Sequence, residues 1–528
     1  MIRSRGIEPS RIGYVAPAWN LPLLEGLIYP HHRRSAEGEM NDAARVPVLV
    51  GVAQIEQRIH EAGEGKEPLA LMIDAVKRAA EDAGSRALLN AATSVRVIRG
   101  VWPYQNPAKG VAEALGLEGV ETGLTPFGGN FVQTVLSRSA LDIQAGAHEV
   151  IVMTGAECGN SQAKARKAGL ELELREAPGE PSLFIGEDKP MSHPFERERG
   201  VRQPIQFYPM FENALRHHLG LSIEEHLERI SELWASFNQV AVDNPHAWIR
   251  EPLTAEAIRT PSAANRPISF PYPKLMNSNN SVDQGAALIL CSLEAARRFG
   301  VDEDKIVYPH AGTDAHDTYL VSNRDNLYSS PAIRTAGRRV LELAGCEAGD
   351  IDFQDVYSCF PVAVQVAARE IGLRRDIPLT VTGGLTFAGG PLNNYVMHAI
   401  ATTAELARRN PGKKGLVTAN GGFLTKHAFG VYCTEPPPEA YRHQDVQDEV
   451  DRFPTRELDT EFTGDATVES YTVMYGPDGP VMAHLTVITP EGKRTWANNN
   501  DVGVMKAMTQ EEFCGKPATV DREGFASF

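Results

Sequence analysis

Apolar and polar positions along this chain follow two different periods, and the switches between them mark its elements. The run Val46-Pro-Val-Leu-Val-Gly-Val-Ala53 is almost continuously apolar and of strand length, with Pro47 at its start, where a missing backbone donor is tolerated. Over residues 69–83 the period becomes helical. Leu69, Met72, Ile73, Val76, Ala80 and Ala83 share one face, and Gly84 supplies the stop. A second helical pattern at 132–145 ends at Gly146 and leads into the buried-strand run Glu149-Val-Ile-Val-Met-Thr-Gly155. Strand and helix pairs of this kind predict an α/β domain.

From about 160 to 267 the pattern is charged and rich in helix and loop signals, residues 223–243 among them, and predicts an inserted cap. Sheet signals return at 281–292. The second half then offers a strand at 351–357, helices at 362–371 and 392–408, and a strand at 415–419. The similar order of elements predicts an internally duplicated fold, without a repeat at the level of residues. Thr434-Glu-Pro-Pro-Pro-Glu-Ala440 cannot continue a helix or a central strand and reads as a linker. Beyond it, alternation at 466–475 and 481–489, with turns at Pro477-Asp-Gly479 and Pro490-Glu-Gly492, predicts a small all-β module of the oligonucleotide/oligosaccharide-binding (OB) barrel type.

At 528 residues the chain is long enough for two or three domains with substantial cores, and 42% hydrophobic with 23% charged residues is ordinary for a soluble globular protein. The formal charge of −16 argues against nucleic acid as a partner, but leaves room for an anionic ligand held by a local basic patch or a helix N-terminus. Cys158, Cys291, Cys346, Cys359, Cys433 and Cys514 are scattered, so neither a disulfide framework nor a metal site is expected. No apolar run reaches the roughly 18 to 20 residues of a membrane span. Residues 1–45 form an N-terminal extension that carries Arg3, Arg5, Arg11, Arg33 and Arg34 without a signal-peptide core, with Met40 an alternative start to Met1. A cytoplasmic protein is expected.

Five glycine-rich or polar strings punctuate this frame: Met153-Thr-Gly-Ala-Glu157, Val282-Asp-Gln-Gly-Ala-Ala287, Asp355-Val-Tyr-Ser-Cys-Phe360, Gly383-Gly-Leu-Thr-Phe-Ala-Gly-Gly-Pro391 and Asn420-Gly-Gly-Phe-Leu-Thr-Lys-His-Ala-Phe-Gly430. In this order and spacing, residues 46–435 resemble the thiolase superfamily, and most of all its sterol-carrier-protein branch with its lipid-transfer and acetyl-CoA acetyltransferase-like relatives. The resemblance implies a duplicated five-layer αβαβα fold. Residues 46–159 and 266–304 would form the N-terminal half and 160–265 the inserted loop domain on the coenzyme A (CoA) side. Residues 305–435 would form the C-terminal half, followed by the linker and OB-like barrel over 436–528.

A thiolase needs a thiolate to take up the acyl group, an acid/base beside the carbonyl, and donors for the oxyanion. The resemblance places the family's nucleophilic cysteine, at the start of a buried helix, on Gly129, with Asn130 next to it. It places the histidine of the glycine-histidine-proline motif on Gly390, and the late cysteine of the C-x-G motif on Asn420, beside Gly421. What remains is Cys359, which matches the acid/base cysteine of the branch's histidine-aspartate-cysteine-phenylalanine motif. Tyr357 and Ser358 replace that motif's histidine and aspartate. An ordinary two-step exchange through an acyl-cysteine is therefore not expected.

Each candidate keeps a plainer alternative. Cys359 is an acid/base or a buried inert thiol. Tyr357 is a core aromatic or a phenolic acid/base of the kind that thiolase-like lipid-transfer aldolases use, with a separate barrel-type partner, to cleave a CoA-linked side chain. His427 is a base or oxyanion donor, or a histidine set back from the site. Asn420, Asn393 and Asn394 donate to a carbonyl oxygen or satisfy loop backbone. The expectation is an acyl-CoA-binding protein doing C–C bond chemistry next to the thioester, by a retro-aldol route or by residual acyl transfer through Cys359. The alternative is an inactive acyl-CoA carrier or regulatory relative. CoA or acyl-CoA is the expected ligand, with no covalent cofactor and no metal, and with self-association or a protein partner docked by the barrel left open.

Overall fold

The apolar run at 46–53 becomes strand β1 (Pro47–Glu56), buried along nearly its whole length. A strand covered on both faces reads as a continuous apolar run, which is why its sequence does not alternate. The computed structural model describes residues 43–528, so residues 1–42, Met40 included, lie outside the described residues. With β1 the first sheet contains β2 (Ser94–Val97), β3 (Glu121–Leu124), β4 (Val150–Cys158), β5 (Leu183–Phe184) and β8 (Asp283–Ser292), in the order β1-β8-β4-β2-β3-β5. The second sheet, in the order β10-β11-β12-β9-β13, is built from β9 (Tyr308–His316), β10 (Phe353–Asp355), β11 (Gly415–Gly421), β12 (Lys426–Cys433) and β13 (Arg442–Asp445).

Helices Phe131–Ala145 and Tyr395–Arg409 pack between the two sheets. Helices Pro68–Asp82 and Pro107–Leu115 cover the outer face of the first sheet, and Pro331–Leu343 covers the second, with Pro361–Ile371 packed beside it. The result is the expected five-layer αβαβα arrangement. The duplication is topological. Helix Phe131–Ala145 leads into β4, which pairs antiparallel with β8, and helix Tyr395–Arg409 leads into β11, which pairs antiparallel with β12. No helix among the described residues is long and apolar enough to cross a membrane.

The structure departs from the sequence reading in several places, one of them β5 (Leu183–Phe184) of the expected inserted segment, which pairs with β3 at the edge of the first sheet. β10 stops at Asp355, short of the expected 357. Leu392–Asn394 is a separate 3-10 turn, because Pro391 and the positive φ of Leu392 break the helical path before Tyr395. Residues 442–445, assigned to the C-terminal module, pair as β13 with β9, so the second half runs past the proline linker. The strands β6 (Pro267–Ser269) and β7 (Tyr272–Pro273), assigned to the N-terminal half, join the third sheet through the pairing of Ser269 with Met474.

That third sheet is the C-terminal module: β14 (Gly464–Gly476), β15 (Gly479–Ile488), β16 (Arg494–Asn499), β17 (Pro517–Val520) and β18 (Ala526–Ser527), in the order β16-β15-β14-β17-β18. An isolated bridge between Asn498 and Phe525 brings the end of β16 to the residue before β18, at the two ends of this order. The module is not purely β, since helix Val502–Met508 sits between β16 and β17.

Candidate functional site

After β10 the chain leaves the sheet. Val356 N donates to Leu379 O at 2.9 Å and Tyr357 N to Thr418 Oγ1 at 2.9 Å, so the ladder with β11 ends. The connector runs on to Pro361, which opens the next helix at a position where its missing donor costs nothing. Tyr357 and Cys359 lie on this connector, both buried.

The connector meets the turn that starts helix Phe131–Ala145. A β-carbon built on Gly129 would stand 2.6 Å from Tyr357 Oη and 2.5 Å from the backbone oxygen of Asn420. Both are closer than real side-chain carbons approach, so Tyr357 fills the place that a nucleophile at 129 would need. The Tyr357 ring stands edge-on to Tyr395, 5.6 Å between centroids. Its hydroxyl meets no hydrogen-bonding partner among the described residues.

Cys359 is held by neighbours from three segments. Asn420 Nδ2 donates to Cys359 Sγ at 3.6 Å and to Tyr208 Oη at 3.0 Å. Tyr208 Oη donates to Gly422 O at 3.2 Å and accepts from Leu424 N at 2.8 Å, and its ring stacks on Phe360 at 4.4 Å. Burial pushes the Cys359 thiol up to about 12, against the opposite pull of hydrogen bonds with Tyr208 and Asn420. Burial also holds Tyr357 well above the ordinary phenol range. Both groups are protonated near neutrality, so they serve as donors; a thiol in this state is a poor nucleophile.

The other sequence candidates separate. Asn130 and Gly421 belong to the cluster: a β-carbon on Gly421 would lie 2.4 Å from Asn130 Oδ1. His427 does not. Successive residues of a strand face opposite sides, and on β12 the ring of His427 turns to Leu424 O (3.2 Å) and Asp317 Oδ2 (3.7 Å), on the side away from the central helices. Burial lowers its proton affinity, which favours the neutral ring. Gly390 has its own surroundings. Its N donates to Asn279 O at 2.9 Å, and a β-carbon there would stand 2.9 Å from Ser278 Oγ and 3.1 Å from Asn280 Oδ1, so the asparagine-rich loop packs where an imidazole would begin. The side-chain amides of Asn393 and Asn394 donate to Arg99 O (2.7 Å) and Gly155 O (2.8 Å), so each ties the second half to the first.

Two residues at the site escaped the sequence reading. Tyr208 comes from helix Pro204–His218 of the inserted segment, whose run of aromatic residues looks like any buried helix face. Lys426 is the neighbour of His427 and faces the central helix, where Nζ donates to Phe127 O at 2.8 Å and lies 4.8 Å from the Phe131 ring. Strand parity carried the signal: if one of the two faces the site, the other cannot.

Residues 445–525 match the family model of the thiolase-like protein type 1 additional C-terminal domain. The fold matches the crystal structure of a monomeric SCP2-thiolase-like protein type 1 (STLP1) from Mycobacterium smegmatis with 30% identity and a TM-score of 0.78, covering 92% of this chain and 99% of that one. The chain belongs to the SCP2-thiolase-like proteins of type 1. This thiolase-like chain is also 23% identical over 326 residues to an acetyl-CoA acetyltransferase of Methanothermobacter thermautotrophicus, covering 57% of this chain and 76% of that one. To the acetyl-CoA acetyltransferase of Methanocaldococcus jannaschii it is 27% identical over 166 residues, which span 31% of this chain and only 40% of that relative. The Ltp2-ChsH2(DUF35) aldolase shares the thiolase fold at 20% identity and a TM-score of 0.56, covering 74% of this chain and 98% of that one.

Proposed function

We propose that this thiolase-like chain binds acyl-CoA and makes or breaks a C–C bond next to the thioester without an acyl-enzyme, by retro-aldol chemistry. The observation that carries this reading is the Tyr357 hydroxyl standing where a side chain on residue 129 would be. Acyl exchange needs a thiolate there, and a phenol cannot replace it. Retro-aldol cleavage needs a base for a β-hydroxyl proton and donors for the enolate oxygen. An open, protonated Tyr357 hydroxyl suits the second task. The fold shared with the Ltp2-ChsH2(DUF35) aldolase supports the same reaction class. Acyl transfer through Cys359 is disfavoured by the thiol's high proton affinity.

The carrier reading is favoured by one observation: Ser278 and Asn280 crowd the place where a catalytic imidazole at 390 would start. Incubation with β-hydroxyacyl-CoA and straight-chain acyl-CoA esters separates the two. Retro-aldol chemistry yields a free aldehyde or ketone and a shortened acyl-CoA, and Tyr357→Phe lowers turnover about a hundredfold with little change in affinity. Binding without products from any ester, unaltered by Tyr357→Phe, supports the carrier.

A further inference from the structure

Lys426 is placed at a cost. It is 5% exposed, and its Nζ has one protein hydrogen bond, to Phe127 O, and makes no ion pair among the described residues. It lies against the first turn of helix Phe131–Ala145, where the helix dipole is positive and disfavours an ammonium. A β-carbon on Gly128 would stand 2.7 Å from Lys426 Nζ, just as one on Gly129 would stand 2.6 Å from Tyr357 Oη. The amine and the phenol therefore flank the Gly128-Gly129 turn. Beside them Asn130 Oδ1 is buried without a partner, a free acceptor at the same turn.

The geometry points to Lys426 as a catalytic acid/base of this site, working opposite Tyr357 on a β-hydroxyacyl thioester laid against Gly128 and Gly129. The inference rests on the retro-aldol reading and supplies its missing base. In the step, the neutral amine takes the β-hydroxyl proton and that O–H electron pair becomes the carbonyl π bond. The Cα–Cβ bond breaks, and its electron pair moves into the thioester as an enolate, whose oxygen accepts from Tyr357. The Lys426 ammonium then returns the proton to Cα, leaving an aldehyde or ketone and a shortened acyl-CoA. No oxidant or second substrate is needed.

Burial lowers the amine to about 8, with the charge of Asp188 opposing, so an appreciable neutral fraction exists near physiological pH. Asp188 acts on Arg99 as well, and the other neighbours named here, Phe127, Phe131 and Asn130, are uncharged. Cys359 and Tyr357 hold their protons far more tightly and cannot take this role.

The test uses the full chain with a β-hydroxyacyl-CoA. Lys426→Ala is expected to lower kcat by roughly a hundredfold or more, with KM changed less than about threefold. Added primary amines should restore part of the rate, the more basic ones more, a rescue that a purely structural lysine would not show. Competitive acetylation read by peptide mass should give Lys426 a midpoint near 8, with protection by the thioester. Full activity of Lys426→Ala beside an active wild type overturns the lysine assignment and leaves the retro-aldol reading standing. A wild type that cleaves no ester overturns both. Loss of activity without amine rescue, or a labelling midpoint above about 10, also overturns the assignment.

Discussion

The hydroxyl of Tyr357 lies 2.6 Å from the point where a β-carbon on Gly129 would stand, and the carbonyl oxygen of Asn420 lies 2.5 Å from the same point. The phenol can yield by rotation, but the carbonyl belongs to β11 and cannot. Gly129→Cys, which would rewrite the thiolase nucleophile, is therefore expected to destabilise the fold by about 1–3 kcal/mol and to form no acyl adduct. Tyr357→Phe should recover part of that loss by removing one of the two clashes. A double-mutant cycle in denaturant measures the coupling, and strictly additive losses would show that the two residues do not touch.

Cys359 is expected to resist modification. With its thiol held near 12 by burial, iodoacetamide at pH 7.5 should leave Cys359 unlabelled in native protein and label it readily once the chain is unfolded. Peptide mapping reads the result.

Glu157 offers a pH signature of the fold. Burial pushes its carboxyl up to about 7, opposed by the hydrogen bond from Val101 N at 2.8 Å. Between the unfolded value, near 4.5, and about 7 the native state holds the extra proton, so stability falls as pH rises through this window. Glu157→Gln keeps the acceptor and removes the charge. It should raise stability by up to about 3 kcal/mol at pH 8, with the gain disappearing towards pH 4.5. Thermal melts at the two pH values measure the difference.

The C-terminal module is expected to be inseparable from the rest. Arg494, fully buried, pairs with both oxygens of Glu469 at 2.5 and 2.6 Å and donates to Ser322 O at 2.8 Å. Trp496 donates to Ser322 Oγ at 2.8 Å and stands edge-on to Phe207, next to Tyr208, at 5.8 Å. Arg494→Met strands a largely buried carboxylate and should cost about 3–5 kcal/mol. Adding Glu469→Gln should return part of that in denaturant titrations, and a chain cut at 445 should aggregate.

Most of the scaffold was legible because it rests on local patterns. Helix Ile223–Asp243 falls where its period placed it, and β1, β4, β8 and β14 lie where apolar runs or alternation announced them. What sequence could not give was which segments share a sheet. Ser269 pairs with Met474 and Arg442–Asp445 with β9, and such long-range pairing leaves no local mark. The site divides in the same way. Gly129 and Asn130, which the resemblance placed at the start of the buried helix, lie beside Tyr357, Asn420 and Gly421, and Cys359 is tied to Asn420. Tyr208 arrives from a segment more than a hundred residues away from Cys359, and His427 and Lys426, as strand neighbours, face opposite sides of β12.

The most direct test of retro-aldol chemistry without an acyl-enzyme is a single-turnover incubation of the full chain with a β-hydroxyacyl-CoA, quenched in acid, with small-molecule products and intact protein mass read from the same sample. The expected result is an aldehyde or ketone with an equimolar shortened acyl-CoA, while the protein keeps its unmodified mass throughout. A transient mass increase equal to the acyl group, located on Cys359 by peptide mapping, would contradict it.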